Sequence, residues 1–212
     1  SPKKTYKSGF YAKLQANYKQ FGDFKAPDYY LTNSGLKNIN TSVSIGNIGY
    51  EKGFSAYYSY VNNKIAILQS SHIGNVNDLV NAIESDLPRV TDDFSYDINF
   101  PRQSIVHHLG KFEAYKRIKS FGKISLKYDF QINRRKEFDL RRGDLKNTPV
   151  IDLRLFTNSI QPDLQINYFD NIKINTGILL RYQQNDAVAG TKSNPLIPDF
   201  DKYDAGIYAI SN

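Results

Sequence analysis

The chain has 212 residues, with 28 Lys plus Arg against 21 Asp plus Glu and a net charge of +7, a size that suits one ordinary domain. Mean hydropathy is −0.53 and no run approaches the roughly 20 apolar residues of a spanning helix, which excludes a helical transporter. There is no cysteine, hence no disulfide framework, thiolate metal site or cysteine nucleophile, and the absence of methionine leads us to expect a processed chain or a piece of a longer protein.

Sixteen Tyr and 13 Phe with no Trp favour strands, because aromatic and β-branched side chains fit a pleated surface. Glycine and proline are scattered singly, no repeat of fixed period is present, and no domain boundary is visible, so residues 1–212 read as one all-β unit.

In chain order, Phe10, Ala12, Leu14, Ala16 and Tyr18 alternate with Tyr11, Lys13, Gln15, Asn17 and Lys19, the period of a long two-faced strand. A long loop over 22–36 precedes a weaker strand over 39–45 with Thr41 and Val43 in it. A short turn at 47–53 leads to a strand over 54–60 containing Ala56 and Tyr58. The very long loop at 69–102 holds Val76, Leu79, Val80 and Ile83 at the i, i+3, i+4, i+7 spacing of a short helix, with Asn77 as its N-cap. Its apolar stripe is expected to pack within its own loop.

A blurred strand over 104–115 and a short turn at 116–120 precede the clearest segment. Here Ile124, Leu126, Tyr128, Phe130 and Ile132 alternate with Lys123, Ser125, Lys127, Asp129, Gln131 and Asn133. Its length matches the about 9 to 11 residues of a tilted membrane-spanning strand, where soluble strands run nearer about 5 or 6. A charged loop over 134–148 follows. In the next strand, over 150–168, Ile151, Leu153 and Leu155 oppose Asp152, Arg154 and Phe156, and the parity shifts around Ser159 to Pro162. That shift predicts either a bulge or the point where a strand leaves an apolar band. A tight turn at Asp170 and Asn171, a strand over 172–184 with Ile174, Thr176, Ile178 and Leu180 on one side, a loop over 185–202 and a last strand over 203–210 complete the chain. Long loops therefore alternate with short turns, as in outer-membrane barrels.

In that order and spacing, four stretches carry a resemblance to a known family: PRQSIVHHLGKFEAY at 101–115, TPVIDLRLFTNS at 148–159, INTGILLRYQQND at 174–186 and NPLIPDFDKYDAGIYAI at 194–210. They resemble the barrel of TonB-dependent outer-membrane receptors of the Bacteroidetes type, which transport siderophores and ferric complexes. SPKK at the start is similar to the junction just after the family's plug domain. The resemblance spans nearly the whole chain and implies an antiparallel meander of about eight long strands, an incomplete piece of a barrel of about 22, with plug and remaining strands absent. It also implies import of a scarce ligand, most plausibly a ferric siderophore, with energy from the TonB complex acting through the plug. The implied location is the outer membrane of a Gram-negative bacterium, and the implied partners are outer-membrane lipid, the plug, the TonB complex and the ligand. A passive porin-like barrel and a soluble all-β carbohydrate-binding module are the alternatives.

Candidate functional residues follow from charge. In RRKEFDLRRGD, Arg135, Arg141 and Arg142 lie near Glu137, Asp139 and Asp144. This is either a salt-bridged, solvated extracellular loop or a site for an anionic ligand or lipopolysaccharide phosphate, whose oxygens suit guanidinium forks. If the apolar faces meet lipid, Lys13, Lys123, Lys127, Asp129 and Arg154 face the lumen and the plug. His107 and His108, adjacent on a strand, point to opposite faces and do not share a metal ion, and His72 stands alone. Basic residues alternate with apolar ones instead of forming a nucleic-acid stripe. No phosphate loop, nucleophile elbow or helical metal motif is present, so neither an enzyme nor a cofactor is expected.

Overall fold

Period-two alternation gives each long segment one apolar and one polar face, and such segments pair most simply with their chain neighbours. The computed structural model describes residues 8–71, 73–119, 121–168 and 172–211, with Asn167 and Tyr168 described as backbone only. The SPKK start, His72 and the turn expected at Asp170 and Asn171 lie outside the described residues. The elements are β1 (Gly9–Phe21), β2 (Phe24–Lys25), β3 (Tyr30–Leu31), β4 (Leu36–Ile48), β5 (Lys52–Ala66), α1 (Val76–Glu84), β6 (Arg102–Ile118), β7 (Gly122–Phe138), β8 (Ile151–Tyr168), β9 (Ile172–Ala187) and β10 (Phe200–Ser211). One eight-stranded sheet runs β1-β4-β5-β6-β7-β8-β9-β10, with β2 and β3 forming a small separate pair. Every neighbouring pair in the large sheet is antiparallel, which is the expected meander.

Connections alternate as the sequence predicts. β4 joins β5 through 49–51 and β6 joins β7 through 119–121, whereas β1–β4, β5–β6, β7–β8 and β9–β10 are joined by 22–35, 67–101, 139–150 and 188–199. In an antiparallel meander successive connections fall at opposite ends, so all four long loops share one end.

Two sequence expectations are corrected by the register. β7 does not end at Asn133: Arg135 still pairs with Ile105 and Glu137 with Gln103, because β6 and β8 flank it with backbone partners on both sides. Arg134, Arg135 and Glu137 are therefore strand residues, not loop residues. Within β8 there is no bulge; the offset to β7 is unchanged from Ile151 to Ile166. The parity change at Ser159 to Pro162 arises because the strand leaves the apolar band: beyond it Asp152 and Arg154 lie on the apolar-face side, and Ile151, Leu153 and Leu155 on the other.

Following the ladders across the sheet separates two faces. Leu14, Val43, Tyr58, Gly110, Phe130, Asn158, Tyr182 and Tyr203 form one continuous rung. The next rung on the same face is Ala12, Ile45, Ala56, Phe112, Tyr128, Ile160, Leu180 and Ala205. The opposite face carries Lys13, Ser44, Tyr57, Lys111, Asp129, Ser159, Arg181 and Asp204 in one rung. The apolar face is uncovered: Leu14 is 80 % and Ile207 81 % exposed at the edges, and even central Ile160 is 40 % exposed. Among the described residues the sole buried hydrophobic side chain is Ala66, so no second layer makes a core.

Packing within the sheet is cross-strand. Gly46, Gly53, Gly110 and Gly177 sit directly opposite Tyr11, Tyr115, Phe130 and Tyr208, and each aromatic ring lies over the glycine so closely that an added Cβ would meet it within 2.7 Å. Such rings shield the glycine backbone and pin the register.

The loop end is tied by buried polar groups. Asn33, only 2 % exposed, donates its amide to Ile67 O and Pro101 O, both at 2.8 Å, and accepts from Asn99 N at 2.8 Å. Thr32 Oγ1 accepts from Asp92 N at 2.9 Å. These bonds clamp the 22–35 loop to the 67–101 loop. The predicted helix is present, but its cap is Asn75, whose side chain accepts from Asp78 N, because Val76 is already helical. Its apolar stripe does not pack within the loop: Val76 and Ile83 are each 74 % exposed.

Asn33→Ala removes the three Asn33 bonds of the clamp and leaves that of Thr32, a loss of about 1–3 kcal/mol for a buried site. Limited proteolysis of the full-length protein is expected to cut the 67–101 loop about tenfold faster in the variant. Unchanged cleavage would contradict the clamp.

Candidate functional site

Charge concentrates where the strands run past the apolar band towards the long loops. There Asp152, on the apolar-face side of β8, is buried and accepts a two-pronged bond from Arg134, Nε to Oδ1 at 3.0 Å and Nη2 to Oδ2 at 2.8 Å. Lys136 Nζ approaches the same carboxylate at 3.6 Å. The register creates this triangle, since Lys136 opposes Asp152 and Arg134 opposes Arg154. A planar guanidinium matches a carboxylate in this geometry better than any ammonium does.

The three arginines singled out from sequence do not converge. Arg135 is on the polar face of β7 and pairs with Glu137, which also accepts from Gln103 Nε2 at 3.0 Å. Arg141 reaches across to the β9–β10 loop, donating to Thr191 O at 2.6 Å and to the Ser193 hydroxyl. Thr191 and Ser193 also line a cavity of about 300 Å³, together with Ile151, Leu153, Ala187 and Gly190 among others. Arg142 is exposed and makes no ion pair or hydrogen bond among the described residues. Two of the three thus serve structural contacts, and Arg142 alone is left with its guanidinium open.

Of the residues assigned to the lumen, Lys13, Lys123, Lys127 and Asp129 do share one face, and Arg154 does not. Lys13 lies in the rung of Asp129, and Lys123 and Lys127 are at even spacings from it on β7. Arg154 opposes Arg134 on the other face. The parity of β8 is the reason: its alternation puts Leu153 and Leu155 on the apolar face, but beyond the band they lie on the polar one. Arg154 instead pairs with Asp186 at 3.7 Å, beside a cavity of about 570 Å³ that Asp199 and Asp201 also line.

On the polar face Lys127 is held by Asp163 at 3.5 Å. Asp163 also accepts from Gln161 Nε2 at 2.9 Å and from the Tyr208 hydroxyl, so strands β7, β8 and β10 share one carboxylate. Lys123 lies 4.6 Å from the Tyr115 ring centre. Near β1 a shallow cavity of about 340 Å³ is lined by Gln15, Asn17, Asn40, Ser42, Tyr57 and Ser59 among others. Asn40 Nδ2 donates to Asn38 Oδ1 at 2.7 Å, while its own Oδ1 is buried with no partner among the described residues. His107 and His108 point to opposite faces as expected, His107 towards Asn133 and His108 bonded to the Tyr58 hydroxyl at 2.7 Å.

Sequence reading missed Asp152 and Asp163, the two carboxylates on which most of this network converges. A signal was present for Asp163: counting back from the apolar Ile160, Pro162, Leu164 and Ile166 puts it on the polar side. Asp152 carries no such mark, because its burial depends on Arg134 and Lys136 of another strand.

Fold and site together define a two-faced antiparallel meander, apolar on one side, hydrogen-bonded and charged on the other, with ion pairs and loop clamps at one end. No family model matches the chain, and no curated protein matches its sequence.

Asp152→Asn removes the charge and one of the two acceptors that Arg134 uses at this buried position, and is expected to lower unfolding stability by about 1–3 kcal/mol. Asp186→Asn, at a pair whose side chains are about half exposed, is expected to cost less than about 1 kcal/mol. Thermal unfolding distinguishes them; equal losses would contradict the ranking.

Proposed function

We propose that this chain is part of the transmembrane β-barrel of a TonB-dependent outer-membrane receptor, in which the apolar face meets lipid and the polar face lines a lumen closed by a plug. The single observation that carries the membrane assignment is the continuous apolar face left exposed across all eight strands, with no core beneath it. A soluble carbohydrate-binding sandwich would turn such faces inward against each other. Strands of 12 to 18 residues are also longer than the about 5 or 6 usual in soluble sheets. Long loops gathered at one end and short turns at the other support the same reading.

The sheet leaves β1 and β10 each with one unpaired edge. In lipid, open edges cost several kcal/mol per unsatisfied backbone group, so on this reading further strands of the same barrel, about 22 in all for the family, pair with both. The plug is the proposed partner of the polar face, where Lys13, Lys123, Asp129 and the open acceptor of Asn40 are available to it. Energy coupling and a ferric siderophore as cargo rest on the resemblance of the four sequence stretches. Ligand capture at the long-loop end would involve Arg142, whose guanidinium has no partner among the described residues.

The experiment that tests this function is uptake of ferric siderophore by cells carrying the full-length protein, with and without the TonB complex. Import that requires the complex is expected. Import persisting without it would favour a passive porin-like barrel and overturn the coupling.

A further inference from the structure

Directly beyond the apolar band, on the same face, the register sets lysine against lysine. Lys37 of β4 pairs with Lys64 of β5, and Lys64 pairs in turn with Ser104 of β6. Arg102, two residues from Ser104, is the diagonal neighbour of Lys64. Like charges directly opposite each other destabilise a sheet; Arg134 and Arg154 are also opposed but are paired with Asp152 and Asp186. Among the described residues Lys37, Lys64 and Arg102 have no carboxylate within ion-pair distance. The carboxylate that does reach this row, Asp152, is already shared by Arg134 and Lys136. Lys37 and Lys64 are exposed. The Arg102 guanidinium is held in place, 4.4 Å from the Phe100 ring centre and 4.8 Å from that of Phe138, and spends one N–H on Ile98 O at 3.2 Å.

Further down the same face lie Ile39, Thr41, Val43 and Ile45 on β4, and on β5 Asn62, which donates to the Tyr60 hydroxyl at 2.9 Å, then Tyr60 and Tyr58. Cations stacked on the rim of an apolar band suit one ligand chemistry, an amphiphile with phosphate at its head and acyl chains below.

We propose that Lys37, Lys64 and Arg102 bind the phosphate of a phosphorylated, acylated glycolipid whose chains lie along β4 and β5. The inference rests on the membrane reading above and names the lipid site within it. It moves the lipid-phosphate contact from Arg135, Arg141 and Arg142 to cations that the fold places together on the lipid-facing side. Charge complementarity chooses this occupant: a zwitterionic phospholipid would bring a second cation to a row already in surplus.

The test titrates full-length protein in non-ionic detergent with lipid A, and separately with phosphatidylcholine of matched chain length, reading adducts by native mass spectrometry. Lipid A adducts are expected, in preference to phosphatidylcholine and without displacement by an excess of inorganic phosphate. Lys64→Gln is expected to weaken binding about fivefold and the triple change K37Q/K64Q/R102Q on the order of a hundredfold, at about fivefold per cation near a charged surface. Lys202→Gln, on the opposite face, leaves it unchanged. Undiminished lipid A binding by a protein that still requires detergent, whether in the triple variant or, where that does not assemble, in Lys64→Gln, would overturn this site and leave the membrane reading standing. Equal uptake of phosphatidylcholine, or displacement by inorganic phosphate, would overturn the assigned ligand. Recovery of the unmodified protein in the aqueous fraction without detergent would overturn both.

Discussion

An apolar face that spans eight strands and has nothing packed on it is the constraint on which the rest of this structure depends. Burying such surface is worth about 25 cal/mol per Å², and soluble monomers rarely leave contiguous apolar patches above a few hundred Å². Here side chains such as Leu14, Val43, Leu126, Ile178 and Ile207 stay exposed, while the ion pairs gather on the other face and at the loop end. Stability inside the sheet comes from the ladders themselves, from rings laid over opposed glycines and from shared carboxylates such as Asp163. The apolar face contributes once it meets an apolar surrounding, and lipid is the proposed one.

The same register orders the charges. Over the length of the band the cations of β7, Lys123 and Lys127, point away from Ile124, Leu126 and Tyr128. Beyond the band alternation no longer has to separate solvents, and cations appear on the apolar-face side as Lys37, Lys64, Arg102, Arg134 and Lys136. Their neutralisation is uneven. At β7 and β8 the Asp152 carboxylate serves two of them, whereas at β4, β5 and β6 none does. Above this rim, the Asn33 clamp holds two loops together through backbone groups, so the loop end has a fixed base even where α1 leaves its apolar stripe exposed.

Much of the fold was legible in the sequence, because period-two alternation is a local signal. Strand order and the alternation of loop lengths follow from Leu14, Leu126, Tyr128 and their neighbours, and the helix from the spacing of Val76, Leu79, Val80 and Ile83, without reference to anything distant. What was not legible depends on partners in other strands. β7 runs on through Arg134 to Phe138 since β6 and β8 supply its hydrogen bonds, and a charged stretch gives no hint of that. Arg154 was set on the wrong face because the alternation around it stops reporting burial once the strand leaves the band. The three arginines likewise looked like one site in the sequence, but strand parity, Glu137 and the β9–β10 loop pull them apart.

The most direct measurement of the central claim is the solvent exposure of a nitroxide label stepped one residue at a time from 40 to 46 along β4 in the full-length protein, reconstituted in lipid. Labels at 41, 43 and 45 should collide preferentially with lipid-soluble oxygen, and those at 42 and 44 with a water-soluble paramagnetic reagent or with neither. Absence of that alternation, or water access at 43 and 45 equal to that at 42 and 44, would contradict a lipid-facing sheet.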